Sequence, residues 1–241
     1  MSGRRLSVRV GGHVVKYLDF GGEGTPLVAL HGTFGRGSIF AQLAEDLGPR
    51  VRVIAPDQRG HGLSDHTGSY TREDFIEDAV RFVEHLGRAP VVVLGHSLGG
   101  ITAYQLAARR PDLVEALIVE DVGPVMRRPE IAEPVLDVRG WPMRAPTRDR
   151  LARAIERAGV ADSSYFMRSA VAEPEAAEGH WRMLFDWDEM MAVQESGLGD
   201  WWADWLASDC PALVLRGGEE FSPARRAGSG DDRAPAGQSA R

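Results

Sequence analysis

The chain has 241 residues, of which 43% are apolar and 26% charged, with a net charge of −7 and a single cysteine. This is the balance of an ordinary soluble globule, large enough for one domain or a domain with an insertion. It argues against nucleic acid as a partner, and Cys210 alone cannot form an intrachain disulfide.

No apolar run approaches the length of a membrane span, and Met1–Val10 lacks the apolar core of a signal peptide. No membrane partner is expected, and the default location is cytoplasmic. No metal-ligand spacing, phosphate-binding glycine–lysine motif or dinucleotide fingerprint occurs, so the expectation is no cofactor and no metal.

Residues 6–20 alternate weakly around Gly11-Gly12, which predicts an antiparallel hairpin at a sheet edge. Leu27-Val28-Ala29-Leu30 is an apolar run suited to a strand buried on both faces, and it ends in His31-Gly32-Thr33-Phe34-Gly35. Ile39–Leu47 has helical spacing, and Val51–Pro56 reads as a strand. The glycine-rich stretch Asp57-Gln58-Arg59-Gly60-His61-Gly62 follows, and His61 is read as a hydrogen-bonded structural residue. Thr71 to Asp74 looks like a helix cap, with Gly87 as the stop.

Pro90-Val91-Val92-Val93-Leu94 runs straight into Gly95-His96-Ser97-Leu98-Gly99, after which the period turns helical. Strand, sharp turn and helix are the context of a nucleophile elbow. The turn projects the Ser97 hydroxyl, and the Leu98 amide at the helix N-terminus can face a developing oxyanion. A second donor is expected from the loop after Leu30, from the Thr33 amide with Phe34 as runner-up. His96 is expected to point away from Ser97.

Ala116–Asp121 is a further strand, so strands and helices alternate as in a parallel, doubly wound sheet with its site at the strand carboxyl ends. His31, Asp57, Ser97 and Asp121 fall there. Residues 125–207 break the rhythm, and five of the six tryptophans lie in Trp181–Trp205. They form either the core of a helical subdomain or the wall of an apolar pocket. Pro211–Gly218 returns to the sheet, with Cys210 as a buried structural thiol. Residues 219–241 have no apolar run and read as disordered.

These motifs resemble the α/β-hydrolase superfamily, of the cap-containing serine hydrolase or esterase type. The matching items are His31-Gly32, Asp57-x-Arg59-Gly60-x-Gly62-x-Ser64, the elbow, the strand ending at Asp121 and the strand ending at Gly218. The resemblance implies a mostly parallel doubly wound sheet with an inserted helical cap. Residues 1–124 and 208–218 would be the core, 125–207 the cap and 219–241 a low-complexity tail.

It also implies Ser97 as nucleophile, with the Thr33 and Leu98 amides as oxyanion hole. The acid is Glu219 or Glu220, or else Asp121. The family's histidine follows one further strand, but no histidine occurs after His180. The chain is therefore expected to be a truncated or frameshifted hydrolase of a small apolar or acyl substrate, with impaired activity. Loss of one triad member typically costs ~10⁴ to 10⁶ in turnover. The alternatives are a cofactor-free perhydrolase or haloperoxidase, a carbon–carbon bond hydrolase, and a non-catalytic binding module or incompletely folded remnant. An uncovered sheet edge would favour self-association.

Overall fold

The computed structural model describes residues 3–173 and 180–217. The first hairpin pairs β1 (Arg4–Val10) with β2 (His13–Asp19) in antiparallel register from Arg4 opposite Asp19 to Val10 opposite His13. Gly11 and Gly12 make the turn, both at positive φ, as a two-residue hairpin requires. Strand β3 (Thr25–Leu30), helix α1 (Ala41–Leu47), strand β4 (Val51–Pro56), helix α2 (Arg72–Leu86), strand β5 (Val91–His96), helix α3 (Leu98–Arg109) and strand β6 (Val114–Glu120) then alternate.

Seven strands form the main sheet in the order β1-β2-β4-β3-β5-β6-β12, where β12 is Ala212–Leu215. From β4 to β12 every pairing is parallel, and β2 joins β4 antiparallel. The period-two alternation of β3 sorts its side chains to two faces. Leu27 and Ala29 pack with Phe40 and Ala44 on the α1 side. Val28 and Leu30 pack with Phe82, Val83 and Leu106 on the side of α2 and α3. Helix α2 starts at a Thr71–Asp74 capping box and ends at Gly87 in the left-handed conformation.

Between β6 and β12 the chain makes β7 (Val125–Met126), β8 (Arg144–Ala145), α4 (Arg148–Arg157), β9 (Ala170–Glu173), β10 (His180–Met183), α5 (Trp187–Gly197), β11 (Gly199–Asp200) and α6 (Trp202–Ala207). The insertion is thus not purely helical: β8, β10 and β9 form a small antiparallel sheet. Its two ends are pinned together where Gly199-Asp200 of β11 pairs with Val125-Met126 of β7. Beyond that ribbon α6 packs on the main body, where Trp205 meets Tyr104 of α3 edge-on.

The tryptophans divide accordingly. Trp181 and Trp187 pack on the insertion's own core, around Leu151, Ile155 and Met190. Trp201 and Trp205 pack on the body, and Trp202 is exposed.

Helix α3 is buried from Leu98 to Ala107, not along one face only, because the sheet, α2 and α6 enclose it. Strand β12 is exposed along its whole length, since no described strand pairs on its outer side. Cys210 is a free thiol, half-buried against the body core, and burial raises its pKa. No helix among the described residues is long and apolar enough to cross a membrane.

Candidate active site

Ser97 is the junction of β5 and α3, with φ 50° and ψ −115°. A β-carbon residue rarely adopts a positive φ, and such strain persists only where its surroundings enforce it. Here they do. A β-carbon at Gly95 would collide with the backbone of Gly99 and Gly100, and one at Gly99 with the carbonyl of Leu30. The glycines let β3, β5 and α3 approach closely enough to bend the chain sharply at the serine. The Ser97 amide donates to the Glu120 carbonyl at 2.9 Å, tying the elbow to β6. The Ser97 side chain does not cap α3, so its hydroxyl is not committed to its own helix.

Ser97 lines a cavity of about 260 Å³ together with Thr33, Leu98 and Asp121. Four of the five residues singled out from the sequence therefore meet at one place. The fifth, Glu219, lies outside the described residues, as does Glu220. Leu98 opens α3, so its amide has no acceptor within the helix. Thr33 stands in the loop after β3, whose turn is closed by the Gly35 amide donating to the Gly32 carbonyl at 3.0 Å. Asp121 follows β6 at φ 54°, and its amide donates to the Leu215 carbonyl at 2.9 Å. It also faces an adjoining groove bordered by Glu120, Val214 and Arg216.

His96 lines the same cavity, contrary to the expectation that it points away from Ser97. Consecutive side chains alternate only while the backbone stays extended. The turn at Ser97 breaks that alternation, so both residues reach one space.

Two further histidines, His31 and His61, are committed to backbone partners. His31 is fully buried; its Nε2 accepts from the Gln58 amide at 2.9 Å, and its Nδ1 donates to the Gly32 carbonyl at 2.9 Å. Burial, with His61 nearby, holds its pKa well below the ordinary value. His61 is fully buried too; its Nδ1 donates to the Arg59 carbonyl at 2.8 Å, and burial pushes its pKa down to about 4. Both are neutral structural groups, as expected for His61. Asp57 is likewise structural. It accepts from the amides of Gly37 at 2.7 Å and Leu63 at 2.8 Å, and burial raises its pKa.

The insertion supplies the rest of the wall, including Tyr165, Val193 and Gln194. No tryptophan lines it, so the tryptophan cluster is core packing and not the wall of this cavity. The Gln194 side chain accepts from the Leu136 amide at 2.8 Å and donates to the Leu136 carbonyl at 2.9 Å. The Tyr165 ring meets His96 edge-on at 5.9 Å, and its hydroxyl is buried without a hydrogen-bond partner among the described residues. Burial, and secondarily Glu120, pushes that phenol pKa up, so it remains a neutral donor.

Tyr165 and Gln194 have no periodic signature in the sequence. The one hint is the pair Gly32 and Gly35. A β-carbon at either would come within 3.0 Å and 2.8 Å of the tyrosine hydroxyl, so these glycines make its seat.

Over 105 residues the chain is 42% identical to an sn-1-specific diacylglycerol lipase of Mus musculus, which covers 43% of this chain and 34% of the relative. Over 95 residues it is 39% identical to lipase LipV of Mycobacterium tuberculosis, covering 39% of this chain and 36% of the relative. The chain thus spans about a third of the length of these curated relatives.

Among solved structures it resembles an E-2-(acetamidomethylene)succinate hydrolase with a TM-score of 0.72 at 22% identity, covering 89% of this chain and 91% of that one. That likeness establishes the fold. The family model described as the alpha/beta hydrolase fold matches residues 25–213, a span that takes in both glycine loops, the elbow and the insertion, and the chain belongs to that family.

Proposed function

We propose that this chain is a serine hydrolase that attacks a small ester or similar acyl substrate with Ser97. The observation that carries the reading is the strained φ of 50° at Ser97, held at a strand–helix junction and opening on a cavity shared with Thr33 and Leu98. Strain of this kind belongs to functional turns. The cavity, about 260 Å³, lies below the roughly 300–1,000 Å³ of sites for drug-sized ligands. A short acyl group fits it better than a long chain. The lipases among the relatives support an ester as substrate.

In this reading the substrate carbonyl carbon lies against Ser97 Oγ. Its oxygen takes hydrogen bonds from the Leu98 and Thr33 amides as negative charge develops on it. Each such donor is typically worth ~2.7–4 kcal/mol in the transition state. The N-terminus of α3 adds a favourable field. Asp121 supplies the carboxylate at the cavity, and the insertion is a cap that excludes water from the acyl group. No metal or cofactor takes part.

Residues 1–241 contain no histidine after His180, and His31 and His61 are buried and neutral. His96 lines the cavity, but among the described residues no histidine hydrogen-bonds to Ser97; without such a base, turnover falls below that of a complete triad by about 10⁴ to 10⁶. The test is a fluorophosphonate probe together with p-nitrophenyl butyrate. The expected outcome is covalent labelling at Ser97, slow ester turnover, and loss of both in Ser97→Ala. A chain that neither labels nor turns over the ester sinks the reading.

A further inference from the structure

Phe34 lies at φ 68°, in the left-handed region that a bulky residue avoids. Within the loop, the hydrogen bond from Gly35 to Gly32 closes the turn. The remaining restraints come from the cap: Trp141 and Phe185 flank the Phe34 ring, and the rest belong to the segment Tyr165–Ser169. Ser169 Oγ donates to the Phe34 carbonyl, and Ser169 is fully buried. The Ser169 carbonyl in turn accepts from the Leu184 amide at 2.9 Å, which anchors the serine in the cap. Arg36 Nε donates to the Arg168 carbonyl at 2.8 Å. The Phe34 ring meets Phe166 at 5.2 Å and Phe185 at 5.4 Å. Tyr165 occupies the seat left by Gly32 and Gly35.

A backbone held in a disfavoured region relaxes once its external restraints are removed. The Phe34 carbonyl shares its peptide plane with the Gly35 amide, which bonds the Gly32 carbonyl, and that carbonyl shares its own plane with the Thr33 amide, so holding Phe34 also orients the Thr33 donor. We propose that the cap turn Tyr165–Ser169 positions the oxyanion loop, with Ser169 as the positioning residue that fixes the Phe34 carbonyl and, through it, the Thr33 donor. The cap is then part of the machinery that stabilises the oxyanion, and not only a cover over the acyl group. The assignment deepens the proposed function, since it rests on reading residues 31–35 as the oxyanion loop.

The test compares Ser169→Ala with the wild-type chain and with Ser163→Ala. Ser163 Oγ bonds Glu156 at 2.8 Å, inside the cap and off the loop. Two measurements are made on each. Hydrogen exchange of a peptide spanning residues 31–36 is expected to quicken about tenfold in Ser169→Ala, with β5 and α3 unchanged. The limiting rate of fluorophosphonate labelling is expected to fall about tenfold, at an unchanged half-saturating probe concentration. Ser163→Ala leaves both at wild-type values.

Exchange in 31–36 equal to wild type overturns the proposal. So does exchange that quickens equally throughout β5 and α3, because the serine is then merely structural. If the wild-type chain does not label at all, the nucleophile reading fails, and the exchange measurement still decides the role of Ser169.

Discussion

The elbow and the loop after β3 open on the same cavity, yet they are braced from different distances. At the elbow, Gly95 lies against the Gly99–Gly100 backbone and Gly99 against Leu30, so the bend is enforced by the strands and helix it joins. At the β3 loop, the hydroxyl that holds Phe34 comes from Ser169, 135 positions along the chain. Both carry a non-glycine residue at positive φ, Ser97 and Phe34. A strained conformation braced by its own neighbours can be read from a short motif. One braced by a distant segment cannot, because the motif contains half of the contact.

Glycine substitutions break the comparison most directly. A β-carbon at Gly99 meets main-chain atoms of Leu30, which cannot move without parting β3 from α3. A β-carbon at Gly32 meets His96 Nδ1 at 2.7 Å and the Tyr165 hydroxyl at 3.0 Å, both side-chain ends. Gly99→Ala is therefore expected to destabilise by more than about 3 kcal/mol and Gly32→Ala by about 1–2 kcal/mol, read by urea unfolding. Equal losses would show that the elbow is no more locally braced than the loop.

Acid sharpens the same contrast. His31 and His61 lie at the base of the loop, and both are held neutral by burial. Their folded pKa values lie below the ordinary 6.5, with His61 at about 4. The unfolded chain then binds the extra protons first. Stability is complete above about pH 6.5 and is lost as pH falls toward 4, at up to about 1.4 kcal/mol per pH unit for each histidine. Urea midpoints at pH 7.5 and 5.5 check the direction, and His61→Gln should flatten the slope. A substitution remote from both loops gives the floor. Trp202 is exposed, and Trp202→Ala is expected to change stability by less than about 0.5 kcal/mol.

Much of the body was legible from the sequence. Val51–Pro56 and the run into Gly95 are apolar stretches bounded by glycine and charge, and strands covered on both faces have that form. The Thr71 cap and the Gly87 stop were legible for local reasons as well. Less was legible in the insertion. Strands of two to four residues such as β7, β8 and β11 are too short to show a period. Trp181 and Trp205 looked like one cluster, but the β7–β11 ribbon sends them to different cores. β12 has the composition of a buried strand and stands exposed, because burial depends on what lies beside it.

By itself the sequence determined the family, the elbow at Ser97 and the meeting of Thr33, Leu98 and Asp121 at the strand ends. Each follows from contacts among residues close in the chain or from parallel strand order. Only the tertiary structure decided that His96 shares the serine's cavity, that no tryptophan does, and that a turn of the insertion grips the loop at Phe34. Those outcomes depend on how a distant segment docks, and docking leaves no period in the sequence of either partner.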